Sequence, residues 1–233
     1  MRMNFPGPIA LKSLTLNTNM GKIHFVIEWK GVSMIDVVLA TRNEDKIREI
    51  EHTFKVEGVV LHRLSEFGDI GEINEDGNSF YENALKKAQI VFEATKMPAI
   101  ADDSGLEVDV LGGKPGIFSS RYAGRNASYA DNIHKLIQEV KHYPVSQRKA
   151  VFKCVALFYH PDLTLHEEGI VEGLILTNQL GKGGFGYDPV FFLPELGKTF
   201  AELSLEEKCE YSHRGIAFRR LSEALKQNLD KIS

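Results

Sequence analysis

Cysteine is scarce in this chain, because only Cys154 and Cys209 occur among 233 residues. Two cysteines without metal-ligand spacing give neither a disulfide framework nor a thiolate metal site, which indicates a reducing compartment. Long apolar runs are also missing, since none approaches the roughly 18 residues of a membrane-spanning helix. Near the start, Pro6, Pro8 and Lys12 interrupt the apolar core that a secretory signal needs. We therefore expect a cytoplasmic protein with no membrane partner.

An excess of positive charge is absent as well. The formal net charge is -4, from 28 Lys and Arg residues against 32 Asp and Glu residues. A surface that neutralises nucleic-acid phosphates carries the opposite balance, so we expect no nucleic-acid partner. The composition, 43% hydrophobic and 26% charged, is typical of an ordinary globular protein of one large domain or two small ones.

The first 33 residues differ from the rest of the chain. KIHFVIEW (22–29) indicates a short strand, and a second methionine, Met34, follows soon after it. A start at Met34 and a genuine N-terminal appendage are both open alternatives. We therefore divide the chain into an extension of unknown role over residues 1–33 and a single domain over residues 34–233.

Strands alternate with helices after Met34. The β-branched run IDVVLA (35–40) precedes a stretch that places Ile47, Ile50 and Phe54 on one helical face. Ser79 and Glu82 fit a capping box at the start of the next helix. Further predicted elements are a strand over 97–101, a helix over 129–142, strands over 151–159 and 169–177, and a closing helix over 212–227. This order predicts an α/β domain with two lobes around a cleft.

The glycine-rich segment GKGGFG (181–186) matches the spacing of dinucleotide-binding loops. That pattern predicts a dinucleotide site only where it connects a strand to a helix. Here Pro189 would lie inside the helix, and VFF (190–192) favours a strand, so no Rossmann unit starts at this point. Two interpretations stay open, a flexible loop or a loop that approaches a ligand closely and offers it the flat faces of Phe185 and Tyr187.

Two segments are candidate anion sites at helix starts. ATRNEDK (40–46) follows a buried strand, and its backbone amides, joined by Asn43 and Lys46, suit an anion. In YSHRG (211–215), Ser212 is a candidate N-cap that makes His213 and Arg214 donors at the helix start. An ordinary capped helix with solvent-facing charges is the alternative in both cases.

The acidic candidates are Asp102 and Asp103, directly after an apolar run. Charges there are costly unless paired, so the pair is either an exposed turn or the seat of a cation. Mg²⁺ takes one or two carboxylates together with phosphates, and a neighbouring carboxylate can deprotonate a water. Adjacent aspartates at the end of a strand point different ways, which suits one for metal and one for water. The turn with Glu75 and Asp76 is by itself only a solvated acidic loop. Together these features suit a nucleotide polyphosphate with Mg²⁺.

Five segments taken in order resemble the inosine triphosphate pyrophosphatase family. They are ATRNEDK, EDGNSFYENALKKA, IADDSGLEVDVLGGKPGIFSSRYAG, GKGGFGYDPVFF and AELSLEEKCEYSHRGIAF. The resemblance covers Met34 to the C-terminus. It implies an elongated mixed β-sheet with flanking helices and two lobes around a nucleotide cleft, and a homodimer. The implied reaction is Mg²⁺-dependent hydrolysis of ITP, dITP and XTP to the monophosphate and pyrophosphate.

The resemblance also implies roles for matching residues. Asp103 matches the general base, and Glu75, Asp102 and Asp103 match metal-associated carboxylates. Phe185 matches the residue that stacks on the base. The other implied substrate-binding residues are Thr41, Asn43, Lys46, Lys87, Ser104, Gly186, Tyr187, Asp188, Lys208, His213 and Arg214. The chain departs mildly from the family at Lys182, where threonine is frequent, and at Ser120, where alanine is frequent.

Selection for hypoxanthine and xanthine needs donors that face the six-oxo group, where adenine carries an amine. Arg214, His213 or backbone amides would supply them, and adenine's amine would then face unpaired donors. Two other functions compete with this one. One is a nucleotide-binding protein without turnover, and the other is a Maf-like pyrophosphatase for other modified nucleotides. A panel of nucleotides separates the three.

Overall fold

The computed structural model describes residues 14–19, 22–27, 34–71 and 73–232. Near the N-terminus, β1 (Leu14–Asn19) and β2 (Lys22–Ile27) pair antiparallel as a two-stranded sheet of their own. The strand predicted over 22–29 is therefore confirmed for residues 22–27, and its last two residues lie outside the described ranges. Whether the chain starts at Met34 stays a prediction.

Within the described ranges, the main sheet has eight strands in the order β10-β9-β8-β7-β5-β3-β4, with β6 paired to β5. Strand β3 runs parallel to β4 and β5, and the other pairs are antiparallel, so the sheet is mixed. The strands are β3 (Ile35–Leu39), β4 (Val59–Arg63), β5 (Ala99–Val108), β6 (Lys114–Pro115), β7 (Lys149–His160), β8 (Leu163–Ile175), β9 (Phe191–Leu193) and β10 (Lys198–Thr199).

In the described residues, five α-helices accompany the sheet: α1 (Glu44–Thr53), α2 (Phe80–Thr95), α3 (Tyr129–Val140), α4 (Leu205–Tyr211) and α5 (His213–Lys226). Alternating side chains of β3 separate two cores, because Val37 packs with α1 and α5 whereas Val38 packs with α2 on the other face. A third cluster joins α3 to β7 and β9. The predicted mixed sheet with flanking helices is confirmed, whereas α4 and β4 were not predicted. No helix in the described ranges is long and apolar enough to cross a membrane.

Strand β5 differs from its prediction. The sequence predicted a strand that ends at Ala101, but β5 continues to Val108 and pairs with β7 along its whole length. Asp102 and Asp103 therefore lie inside a strand, and the prediction that they end one is wrong. Gly105 permits the continuation, because a Cβ there would lie 2.3 Å from the carbonyl oxygen of Gly116.

Two predicted helix caps can be checked atom by atom. The Ser79 hydroxyl accepts from the Glu82 amide at 3.1 Å, which confirms the cap of α2. The Glu82 carboxylate, however, accepts from the Asn78 amide at 2.7 Å and not from Ser79, so the reciprocal half of the capping box was wrong by one residue. Ser212 caps α5 as predicted, through the Gly215 amide at 3.1 Å.

Candidate active site

A cavity of about 300 Å³ opens beside β5, between the starts of α1, α3 and α5. All predicted site residues except Asp102 line it. Those that line it are Thr41, Asn43, Lys46, Glu75, Lys87, Asp103, Ser104, Phe185, Gly186, Tyr187, Asp188, Lys208, His213 and Arg214. Residues from every part of the domain thus meet at one place.

The start of α1 forms one wall of the cavity. Asn43 caps this helix, because its Oδ1 accepts from the amides of Asp45 at 3.0 Å and Lys46 at 3.1 Å. Its Nδ2 points away from the helix and donates to the Tyr129 hydroxyl at 3.1 Å. The Asn43 amide donates to Thr41 Oγ1 at 3.2 Å. The cap thus fixes the turn and leaves the Asn43 amide group facing the cavity mouth.

Asp102 supplies the negative charge that a lysine in the first turn of α1 requires. Lys46 Nζ lies 3.0 Å from Asp102 Oδ2, and Arg214 Nη2 lies at the same distance. Burial would raise the pKa of Asp102, but Lys46 and Arg214 hold that pKa well below its usual range. Asp102 Oδ1 is buried without a hydrogen-bond partner among the described residues.

Asp103 points to the opposite face of β5, toward α2. Its Oδ2 accepts from Asn83 Nδ2 at 2.9 Å, and Lys87 Nζ lies 3.7 Å from its Oδ1. Lys87 also lies 2.6 Å from Glu75 Oε1. Burial raises the pKa of Asp103, although the Lys87 charge opposes the shift. Sequence reasoning missed Asn83, which reaches Asp103 because it lies one helical turn before Lys87.

The glycine-rich segment forms a loop that places Phe185 in the cavity wall. Gly184 and Gly186 both adopt positive φ, +67° and +60°. Asp188 Oδ2 accepts from the Phe185 amide at 2.7 Å and forms an ion pair with Lys208. Lys208 Nζ lies 4.6 Å from the centroid of the Phe185 ring. The Phe185 ring therefore lines the cavity as a flat wall, and the close approach of this loop to a ligand stays a prediction.

Glu49 is buried at the back of the site and was missed by sequence reasoning. Its two oxygens lie 2.6 Å from Lys208 Nζ and 2.7 Å from Arg214 Nη1. The pKa of Glu49 is lowered, because the charges of Arg214 and Lys208 outweigh burial, which by itself would raise it. Its sequence neighbours give no signal, because both cationic partners come from α4 and α5 at the far end of the chain.

Arg214 is only 1% exposed, and its guanidinium is largely committed to protein oxygens. Besides the bond to Glu49, it donates through Nε and Nη2 to Asp102 and through Nη2 to Ser104 Oγ at 2.8 Å. The predicted role of Arg214 as a donor to the base is therefore constrained by four hydrogen bonds within the protein.

His213 presents a neutral ring to the cavity. The ring stacks on Phe152 with centroids 4.5 Å apart and planes at 4°. Burial, reinforced by Arg214, holds the pKa of His213 well below its usual value. His213 Nδ1 has no hydrogen-bond partner in the part of the chain that the structure describes. Gly169 lets β8 approach, because a Cβ there would lie 1.9 Å from the His213 carbonyl oxygen.

The carboxylates fit a divalent cation that shares its coordination with a ligand. Glu75 and Asp103 line the cavity, and Asp102 keeps one buried oxygen without a partner among the described residues. The described residues contain no group of three or more His, Cys, Asp or Glu that could hold a metal by itself. Hard oxygens that provide only part of a coordination shell suit a hard divalent cation whose shell is completed by oxygens of a ligand.

The fold and cavity define a class of mixed α/β proteins whose cleft has cationic side chains on one wall and an aromatic ring on the other. The model of the Ham1 family matches residues 37–224, so the chain belongs to the Ham1 family. This confirms the resemblance drawn from the five motifs.

Several curated proteins and solved structures are similar to this chain. A dITP/XTP pyrophosphatase of Thermus thermophilus is 49% identical over 191 residues, which cover 82% of this chain and 91% of the relative. One from Pectobacterium atrosepticum is 47% identical over 198 residues, covering 83% and 99%. Among solved structures, a HAM1 protein from Coxiella burnetii has a TM-score of 0.76 and 39% identity, with 83% of this chain and 100% of that chain covered. The Ham1 protein of Staphylococcus aureus has a TM-score of 0.74 at 39% identity, covering 83% and 99%.

Proposed function

We propose that the protein hydrolyses ITP, dITP and XTP to the nucleoside monophosphate and pyrophosphate, and so removes these nucleotides from the nucleotide pool. The observation that carries the proposal is that one cavity combines a cationic wall, a buried carboxylate and an aromatic wall. The names of the curated relatives, dITP/XTP pyrophosphatase at 49% and 47% identity, support the same reaction.

The polarity of the cavity orients the substrate. Asn43 and Lys46 at the start of α1, with Lys87 of α2, suit the triphosphate. Phe185 suits the base, because its ring is flat and lines the cavity, with its backbone amide bonded to Asp188. The scissile bond then lies near Asp103, between these two regions.

Asp103 is the proposed general base. Asn83 holds one of its oxygens, so the other can accept a proton from an attacking water. Burial raises the pKa of Asp103 and makes it a stronger base than a solvated carboxylate. Glu75, Asp102 and Asp103 are the proposed residues for Mg²⁺, which when bound neutralises charge on the phosphates and on the leaving pyrophosphate.

The base is read by His213 in this proposal, with Arg214 as its support. His213 lines the cavity, and its neutral ring would donate to the six-oxo group of an oxo-purine from the ring nitrogen that carries the proton. Arg214, whose bonds to Glu49 and Asp102 fix it, holds the start of α5 and therefore His213 in place. Adenine would place an amine where the site expects an oxygen, which lowers its transition-state binding.

The general-base assignment is tested by Asp103→Asn. We expect the variant to fold and to bind dITP but to lose roughly 10²–10⁴-fold in kcat, because a positioned base is removed. Pyrophosphate release measures kcat, and calorimetry measures binding. Asp109→Asn, at an exposed position just after the same strand, is the matched control. A wild-type rate for Asp103→Asn would contradict the role.

We further propose that the protein is a cytoplasmic homodimer that uses Mg²⁺, with residues 34–233 as the pyrophosphatase domain and 1–33 as an extension. The start of the family match at residue 37 supports the domain division. Light scattering after size-exclusion chromatography tests the dimer, and a mass of one chain at micromolar concentration would contradict it.

A further inference from the structure

Tyr129 lines the cavity between Asn43 and Phe185, and none of the roles above uses it. It is the first residue of α3, whose start is fixed because the Ser128 hydroxyl accepts from the Asp131 amide at 3.2 Å. The Tyr129 hydroxyl accepts from Asn43 Nδ2 at 3.1 Å. Its ring centroid lies 5.9 Å from that of Phe185. One side chain therefore connects the wall assigned to the triphosphate with the wall assigned to the base.

Packing does not account for this placement. The Tyr129 residue is 44% exposed and lies outside the hydrophobic clusters of the described residues. Tyr187 makes the contrast, because it is buried and donates to the Ser119 carbonyl oxygen at 2.9 Å. A solvated hydrogen bond such as the one between Tyr129 and Asn43 adds little to folding stability. The contact therefore shapes the cavity mouth and not the core.

The chemistry of the pair suits an anion. A phenol hydroxyl both accepts and donates, so accepting from Asn43 leaves the Tyr129 proton for a ligand. Asn43 Oδ1 is occupied by two amides of α1, and Lys46 lies in the same helical turn. The side-chain amide of Asn43 and the hydroxyl of Tyr129 are thus two neutral donors beside Lys46. They lie at a helix start, where phosphoryl oxygens bind favourably.

We propose that Tyr129 is a further nucleotide-contacting residue, whose hydroxyl donates to the triphosphate beside Asn43 while its ring extends the wall of Phe185 over the substrate. The proposal rests on the proposed function, because it requires a nucleoside triphosphate in this cavity. The Tyr129 hydroxyl is hydrogen-bonded to Asn43, which we assign to the triphosphate. The proposed contact is therefore to the phosphate chain and not to the ribose.

The test uses Tyr129→Phe, which removes only the hydroxyl, and Tyr129→Ala, which also removes the ring. Tyr143→Phe and Tyr143→Ala are matched controls, since Tyr143 is exposed, follows α3 and does not line the cavity. We expect Tyr129→Phe to raise KM for dITP about tenfold with kcat within about twofold of wild type, because a hydrogen bond to a charged oxygen is lost. Tyr129→Ala should raise KM further.

Calorimetry with inorganic tripolyphosphate and Mg²⁺ identifies the part of the substrate that is contacted. We expect Tyr129→Phe to weaken tripolyphosphate binding by a similar factor, a result that supports the proposal even if the wild type releases no pyrophosphate from dITP. Weaker dITP binding with unchanged tripolyphosphate binding would overturn the phosphate assignment. Equal behaviour of the Tyr129 and Tyr143 variants in both assays would overturn the proposal entirely.

Discussion

Asp102 and Asp103 are adjacent carboxylates with separate electrostatic environments. Because successive side chains of a strand point to opposite faces, Asp102 meets Lys46 and Arg214 whereas Asp103 meets Asn83 and Lys87. The pKa of Asp102 is lowered by its cations, and the pKa of Asp103 is raised by burial. The charge of Asp102 therefore stabilises the folded state, whereas the buried charge of Asp103 destabilises it.

This difference predicts different stability effects for two isosteric changes. Asp102→Asn should lower the free energy of unfolding by roughly 3–5 kcal/mol, because it leaves buried cations without a counter-charge. Asp103→Asn should leave it unchanged or raise it, because a buried charge is removed without breaking a close ion pair. Thermal unfolding at neutral pH in EDTA measures both. A larger loss for Asp103→Asn than for Asp102→Asn would contradict the electrostatic account.

At the scale of elements, the site depends on contacts between parts of the chain that are far apart in sequence. Glu49 of α1 joins Lys208 of α4 to Arg214 of α5, and the close approach of Gly169 in β8 sets the start of α5. The helices that carry the proposed base-reading residues are thus fixed to the helix that carries Asn43 and Lys46.

The edge strand β4 contains a pH-dependent contact. His62 lies between Asp36 of β3 at 2.8 Å and Glu66 at 3.0 Å, and these hydrogen bonds raise the pKa of His62. A folded-state pKa above the unfolded value means that His62 stabilises the fold fully below about pH 6.5. This contribution is lost as the pH rises through the raised folded-state value.

His62→Gln should therefore destabilise the protein at low pH more than at high pH. We expect a difference in the free energy of unfolding of about 0.2–1 kcal/mol per surface ion pair below pH 6.5, which shrinks toward pH 9. Urea unfolding of wild type, His62→Gln and the exposed-position control His52→Gln across this range gives the measurement. A deficit for His62→Gln that grows with pH would show the sign to be wrong.

Local signals predicted much of this architecture, and they failed where tertiary contacts decide. Helical periodicity at Ile47 and Ile50 predicted helix α1 without bounds, and the caps at Ser79 and Ser212 predicted the starts of α2 and α5. Strand β5 was cut short because two aspartates and a glycine oppose a strand locally, and only the ladder to β7 and the cations stabilise it. Helix α4 was missed although Ser204 carries a usable capping signal.

The candidate site was predicted from motifs more completely than the fold. The predicted site residues all line one cavity apart from Asp102, whose carboxylate faces Arg214 and Lys46 instead. Glu49, Asn83 and Tyr129 escaped prediction, since each acts through partners distant in sequence. No periodicity or cap reports such a partner.

At the scale of the whole molecule, the elements around the cavity pack on three different hydrophobic clusters of the described residues. One cluster supports α1 and α5, another α2, and the third α3 and β9, so each supports a different wall. The proposed function requires all walls together, because phosphate, water and base must be held at once.

The central claim is tested most directly by kcat/KM for pyrophosphate release from dITP, XTP, dGTP and dATP, with Mg²⁺ and with excess EDTA. We predict release from dITP and XTP that exceeds release from dATP by on the order of 10⁴, as expected when a site leaves buried donors unpaired with the wrong base. EDTA should abolish it. Release of orthophosphate in place of pyrophosphate, or equal values for the four nucleotides, would contradict the account.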